Sequence, residues 1–174
     1  MTAHGMLPHI REHSFMVMQV ARRLGQALST AAVPLNLPLI EAGALLHDLG
    51  KTPCLGTGEN HAEWGAVILE AAGYPEVAQI VREHVILAST PEAPRPLREA
   101  EVVNYADKRV LHTRVVTLEA RFADLTERYG RTPQARERLA ALLARTLVLE
   151  NRLFASLSLT PGDLLQINHL RREP

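Results

Sequence analysis

An all-α helical bundle is the fold class that this chain of 174 residues predicts. Apolar residues recur at the three- and four-residue spacing of helices almost from end to end. Prolines and glycines stand where helices open and stop. No segment keeps the apolar–polar alternation of a half-buried strand. The length suits a single domain, residues 1–174, with enough chain to bury a core.

The elements follow in order. Pro8 suits a first helical turn. It opens a helix in which Ile10, Phe15, Val17, Val20, Leu24 and Leu28 fall largely on one side. The stretch STAAVPLNLP is a loop punctuated by Pro34 and Pro38. A second helix is expected from about Pro38 to Leu49, stopped near Gly50. The Gly-rich loop after Lys51 leads to a third helix, from His61 to Gly73, and Pro75 opens a fourth. Three prolines between Ser89 and Leu97 break the pattern before a fifth helix through Asn104 and Asp107. Leu118, Phe122, Leu125 and Tyr129 mark a sixth, up to Gly130. Thr132 and Pro133 cap and open a long seventh, and Thr160 and Pro161 a short last one. The joint YGRTP is short, so the sixth and seventh helices are expected to form a C-terminal antiparallel hairpin, within a tail of about residues 117–170. The high leucine content from Leu139 to Leu157 also suggests a homodimer built on that face.

Composition removes several function classes. Formal net charge is zero and aromatics are scarce, so neither a basic nucleic-acid footprint nor a stacking platform is present. Cys54 is the only cysteine, which excludes an intrachain disulfide and a thiolate zinc cluster. No secretory leader or membrane-length apolar run is legible, and the expectation is a cytoplasmic protein with no membrane partner. Of nineteen basic residues only Lys51 and Lys108 are lysines, and each stands beside an acidic position of interest. A compact ammonium is wanted there rather than a planar fork.

The chemistry lies in the histidines and the acids near them. His13 lies on the first helix, His47 and Asp48 end the second, and His61 opens the third. His84 ends the fourth and Asp107 lies in the fifth. Bundles build metal sites from side chains on facing helices in this way. An unpaired buried carboxylate is costly, so Asp48 needs cations or donors around it. Imidazoles and carboxylates without sulfur suit manganese, iron, cobalt, nickel or zinc. Six ligands are too many for one open catalytic ion and fit two ions that share a carboxylate. Asp48 is the natural bridge. His4, His9, His112 and His169 read as surface or hydrogen-bonded histidines.

The stretches around His13, LLHDLGK from Leu45, HAEWGAVIL from His61, VREH to His84 and YADKRV from Tyr105 resemble the HD-domain superfamily of metal-dependent phosphohydrolases. The resemblance covers about residues 10–115 and implies an all-helical fold. It implies that His13, His47, Asp48 and Asp107 hold one divalent transition ion. Asp48 would bridge to a second ion held by His61 and His84. Lys51 would lie near the substrate phosphate. Val85 follows His84, where members with a second metal often carry an adjacent histidine.

The function expected is hydrolysis of a phosphoester, mono- or diester, by a metal-activated water, with Asp48 and Lys51 as catalytic residues. The substrate is a small phosphorylated molecule, a nucleotide among the candidates, with Lys51, Arg95 and Arg109 as phosphate contacts. Two alternatives use the same residues: a mixed-valent di-iron oxygenase, and a nucleotide-binding module without turnover. No Gly-rich phosphate loop names the substrate.

Overall fold

The structure is a computed structural model that describes residues 1–90 and 95–169, apart from the Thr2 side chain. Residues 91–94 of the expected proline-rich loop lie outside it. Seven α-helices carry the described chain: α1 (Pro8–Thr30), α2 (Leu37–Leu46), α3 (His61–Ala71), α4 (Pro75–Glu83), α5 (Glu99–Lys108), α6 (Leu118–Tyr129) and α7 (Pro133–Phe154). Between α5 and α6 lie two short antiparallel strands, β1 (Val110–Leu111) and β2 (Arg114–Val115). Short 3₁₀ segments cover Thr2–His4 and Pro161–Asn168.

Local chemistry sets these boundaries. The Asn36 side chain accepts from the Leu39 amide at the start of α2, and Asn60 accepts from Ala62 and Glu63 at the start of α3. Thr117 and Thr132 cap α6 and α7 in the same way. Glu101 accepts from the Arg98 amide and closes the first turn of α5. The last helix of the sequence reading is 3₁₀ rather than α. The β1–β2 hairpin is absent from the sequence reading, because strands of two residues each are too short to display alternation. Asn168 secures it, accepting from the Val115 amide and donating to the Val115 carbonyl.

The largest difference is at the end of α2. The helix stops at Leu46 and residues 47–57 run through turns. The His47 ring takes the Ala44 carbonyl at 2.7 Å. Leu49 then bonds Leu46, and Lys51 bonds Asp48, only three residues back. Gly50 is not the left-handed stop expected of it, since it is not among the positive-φ glycines. Its need is space. A Cβ at Gly50 would lie 2.3 Å from the His61 carbonyl oxygen and 2.6 Å from the Gly65 amide nitrogen. The turn after Asp48 therefore packs backbone against backbone on the first turn of α3.

The main core joins α1, α2, α5 and α7. Val17, Val20, Leu24, Leu28, Ile40, Val102, Leu149 and Leu153 are fully buried or nearly so. A smaller core holds Ile10, Leu49 and Ala66 with Val77 and Val81 of α4. Phe15, expected in the core, is 50% exposed. It stands two residues before Val17, and residues two apart do not share a helical face. Helix α7 spends most of its apolar face on the chain's own core. Leu142 and Leu143 pack against that core, and Leu147 is the large apolar side chain of α7 left exposed. No helix among the described residues is long and apolar enough to cross a membrane.

Candidate metal centre

His47 and His84 reach the interior by the same local device. Each is the residue that follows a helix, α2 or α4, and each ring turns back on the carbonyl three residues earlier. His47 Nδ1 donates to Ala44 at 2.7 Å and His84 Nδ1 to Val81 at 2.6 Å. A carbonyl can only accept, so Nδ1 carries a proton, and in the neutral ring the lone pair is on Nε2. Both side chains are buried, and both Nε2 atoms face Asp48. His13 follows the same logic from α1, donating Nδ1–H to the His112 carbonyl at 2.8 Å.

Around these rings the six expected ligands converge. His13 Nε2 lies 3.0 Å from Asp107 Oδ1, and His47 Nε2 lies 3.6 Å from the same oxygen. Asp48 divides its two oxygens. Oδ2 lies 3.4 Å from His47 Nε2, while Oδ1 lies 3.4 Å from His61 Nε2 and 3.7 Å from His84 Nε2. His61 Nε2 and His84 Nε2 stand 3.2 Å apart. Two triads have ligand atoms mutually close enough for one ion: His13, His47 and Asp107, and His47, Asp48 and His84. His61 adjoins the second through both Asp48 and His84.

The donor set fits a divalent cation. Nitrogen lone pairs and carboxylate oxygens crowd together with too few protons between them. His47 Nε2 is buried and has no hydrogen-bond partner among the described residues. Burial opposes the charge of Asp48, yet His47, Lys51 and His84 hold its carboxyl well below the usual carboxylate range. Burial likewise opposes the charge of Asp107, which the His13 hydrogen bond and the charge of His47 hold low. For His47 burial is the largest influence and lowers its pKa, but Asp48 and Asp107 outweigh it and the net shift is upward. Burial, with His47 beside it, takes His84 down to about 3. Burial also lowers His61. The cluster thus holds two anions, and lone pairs that attract a cation other than a proton.

The two lysines have different surroundings. Lys51 Nζ lies 2.7 Å from Asp48 Oδ2, and its side chain is 40% exposed at the edge of the site. Lys108 is buried. Its ammonium reaches the His84, Val85 and Asn104 carbonyls and Asn104 Oδ1, all at 3.0–3.2 Å. Burial without an ion pair brings its pKa down to about 8. A point charge satisfies four oxygens arranged around it, which a planar guanidinium cannot do.

A cleft of about 460 Å³ opens over His13, Asp48 and Lys51, with α6 and the β1–β2 turn as its far wall. Two residues expected at the phosphate stand elsewhere. Arg109 is 2% exposed, and its guanidinium is spent on the Val116 and Pro161 carbonyls and on Tyr105. Being two residues beyond Asp107, it leaves the opposite side of α5. Arg95 pairs with Glu101, which is fully buried. Neither lines the cleft. The arginines that do line it, Arg121 and Arg128, come from a tail in which the sequence offered no motif. Their spacing of seven on one helix face, with Leu125 between them, was the available signal. His112 and the exposed His9 line the cleft as well. His112 has φ 54° at the hairpin turn and turns its carbonyl to His13.

Comparison with known proteins agrees with this geometry. An uncharacterized protein of Methanocaldococcus jannaschii is 25% identical over 146 residues, which cover 77% of this chain and 85% of that protein. No solved structure matches the chain significantly. The family model described as HD domain matches residues 10–132, a span that contains every clustered ligand and most of the cleft wall. The chain with this buried histidine and aspartate cluster belongs to the HD-domain family, whose superfamily is that of metal-dependent phosphohydrolases.

Proposed function

We propose that the chain hydrolyses a phosphoester bond of a small phosphorylated substrate with the help of one or two divalent transition ions. The observation that carries this reading is the split carboxylate of Asp48. One oxygen faces His47 and the other faces His61 and His84, with distances of 3.4–3.7 Å. His13, His47, Asp48 and Asp107 would hold one ion, and Asp48, His61 and His84 a second. Bound there, such ions lower the pKa of a coordinated water and neutralise charge on phosphoryl oxygens.

The chain's own residues supply the rest. The carbonyls of Ala44, Val81 and His112 accept from Nδ1 of His47, His84 and His13, which turns each Nε2 toward the carboxylates, where a metal ion would take the place of a proton. Asp48 and Asp107 remain anionic near neutrality. Lys51 Nζ adds positive charge where the site meets the cleft, and there it would stabilise the developing phosphoryl charge.

Metal analysis of the purified protein, followed by a phosphoester panel with added manganese, iron, cobalt, nickel or zinc, tests the proposal. Asp48→Ala should lose bound metal and all turnover while circular dichroism keeps its helical signal. Full activity in that variant, or no hydrolysis of any ester by metal-loaded protein, would overturn it. Bound iron with oxygen uptake would point to oxidation instead.

A further inference from the structure

The far wall of the cleft carries a second group of charges. Asp124 on α6 binds two guanidiniums at once. Its Oδ2 lies 3.1 Å from Arg121 Nη1 and its Oδ1 lies 2.8 Å from Arg128 Nη2. The three side chains fall on one helix face at spacings of three and four. Arg128 Nη2 also lies 3.1 Å from His112 Nε2. One carboxylate between two guanidiniums leaves the group cationic. Arg121 has in addition a buried Nε without a hydrogen-bond partner among the described residues. Both arginines line the cleft, where the remaining anionic residue beside Asp48 is the exposed Glu12.

This group is set apart from the metal ligands. His13 turns Nε2 to Asp107 and Nδ1 to the His112 carbonyl, so the His13 ring stands between the ligand cluster and the hairpin turn. The arginine group lies beyond that turn, on the ring of His112. A single phosphate beside Lys51 would leave most of the 460 Å³ cleft unfilled. The cleft is also lined by Ile10, Leu55, Leu111 and Leu125, which suit carbon rather than more charge.

We infer that Arg121 and Arg128, held side by side by Asp124, form a second anion subsite that selects substrates carrying another phosphate or carboxylate across a short carbon spacer from the reacting phosphoester. The inference rests on the phosphohydrolase reading for the position of the first phosphate. Paired guanidiniums suit such a group because their forked donors match its oxygens.

Non-hydrolysable probes separate the two ideas. Alkane-α,ω-bisphosphonates of increasing chain length, and alkyl monophosphonates of matching length, would be titrated calorimetrically into metal-loaded protein. The wild type should prefer one bisphosphonate length over its monophosphonate by about tenfold or more. Arg128→Gln should remove most of that preference, and Arg121→Gln with Arg128→Gln should remove all of it. The Arg128 side chain is 41% exposed, so its replacement keeps the fold, which circular dichroism verifies. Equal affinity for the two probe classes, binding of neither, or a preference that survives the double change would overturn the subsite. The phosphoester panel is independent: loss of hydrolysis there with the bisphosphonate preference intact would sink the phosphohydrolase reading and leave the subsite standing.

Discussion

Lys51 holds its ammonium 2.7 Å from a carboxylate that is itself among the candidate ligands. Burial works against its charge and Asp48 more than restores it, so its pKa lies above the ordinary lysine value. The charge is therefore present across the whole neutral range. If it stabilises the transferred phosphoryl group, Lys51→Ala should lower turnover by roughly a hundredfold or more, the cost of a lost electrostatic stabiliser. Metal content should stay intact. Lys51→Arg should recover only part of the rate, because a fork cannot take the place of a point charge on Asp48 Oδ2. Turnover at the wild-type rate in Lys51→Ala would reduce this residue to a surface ion pair. Side-chain chemistry of this kind is what a sequence displays best. The six candidate ligands were legible as a group because imidazoles and carboxylates on apolar helices demand a reason. The part played by His112 was not legible, because it acts on His13 through its carbonyl, which every residue type possesses.

At the scale of elements, the meeting of the turn after Asp48 with α3 governs the site. His61 opens α3 and faces Asp48, so its position depends on how closely Gly50 approaches the first turn of that helix. Gly50→Ala should force the two backbones apart and cost about 1–3 kcal/mol or more, the usual penalty of overpacking. Denaturant unfolding would read that loss. Metal stoichiometry should also fall, because His61 is carried away from Asp48 and His84. A variant as stable as the parent would mean that the contact relaxes freely. Prolines and a cap made several helices legible, since Pro8, Pro75, Thr132 and Pro133 announce themselves locally. The end of α2 was hidden because a side chain, His47, intercepts a helical carbonyl. The arginines of α6 were hidden for a different reason. Their periodicity is that of a solvated helix face, and only the tertiary path of the chain sets that face over the cleft.

For the whole molecule the cluster is a place where a bound cation would add stability. Asp48 and Asp107 bring two anions beside the buried His47, and His47 Nε2 has no hydrogen-bond partner among the described residues. A bound ion would relieve both. Free metal at a hundred times its dissociation constant adds about 2.7 kcal/mol to folding. In a domain of this size that raises the midpoint by about 5–10 °C. Scanning calorimetry before and after treatment with a chelator should find that difference, and Asp48→Ala should erase it. An unchanged midpoint would show that the cluster binds no ion tightly.

The unequal surroundings of the two lysines have a consequence for labelling. Lys108 is closed in by the backbone of His84, Val85 and Asn104, whereas Lys51 opens onto the cleft. With seventeen other basic positions occupied by arginine, an amine-acylating reagent meets one accessible lysine side chain in the folded chain. Its attachment point lies beside Asp48. Protection of that single position, read by peptide mass spectrometry, would therefore report occupancy of the cleft by any molecule, including one whose turnover cannot be followed.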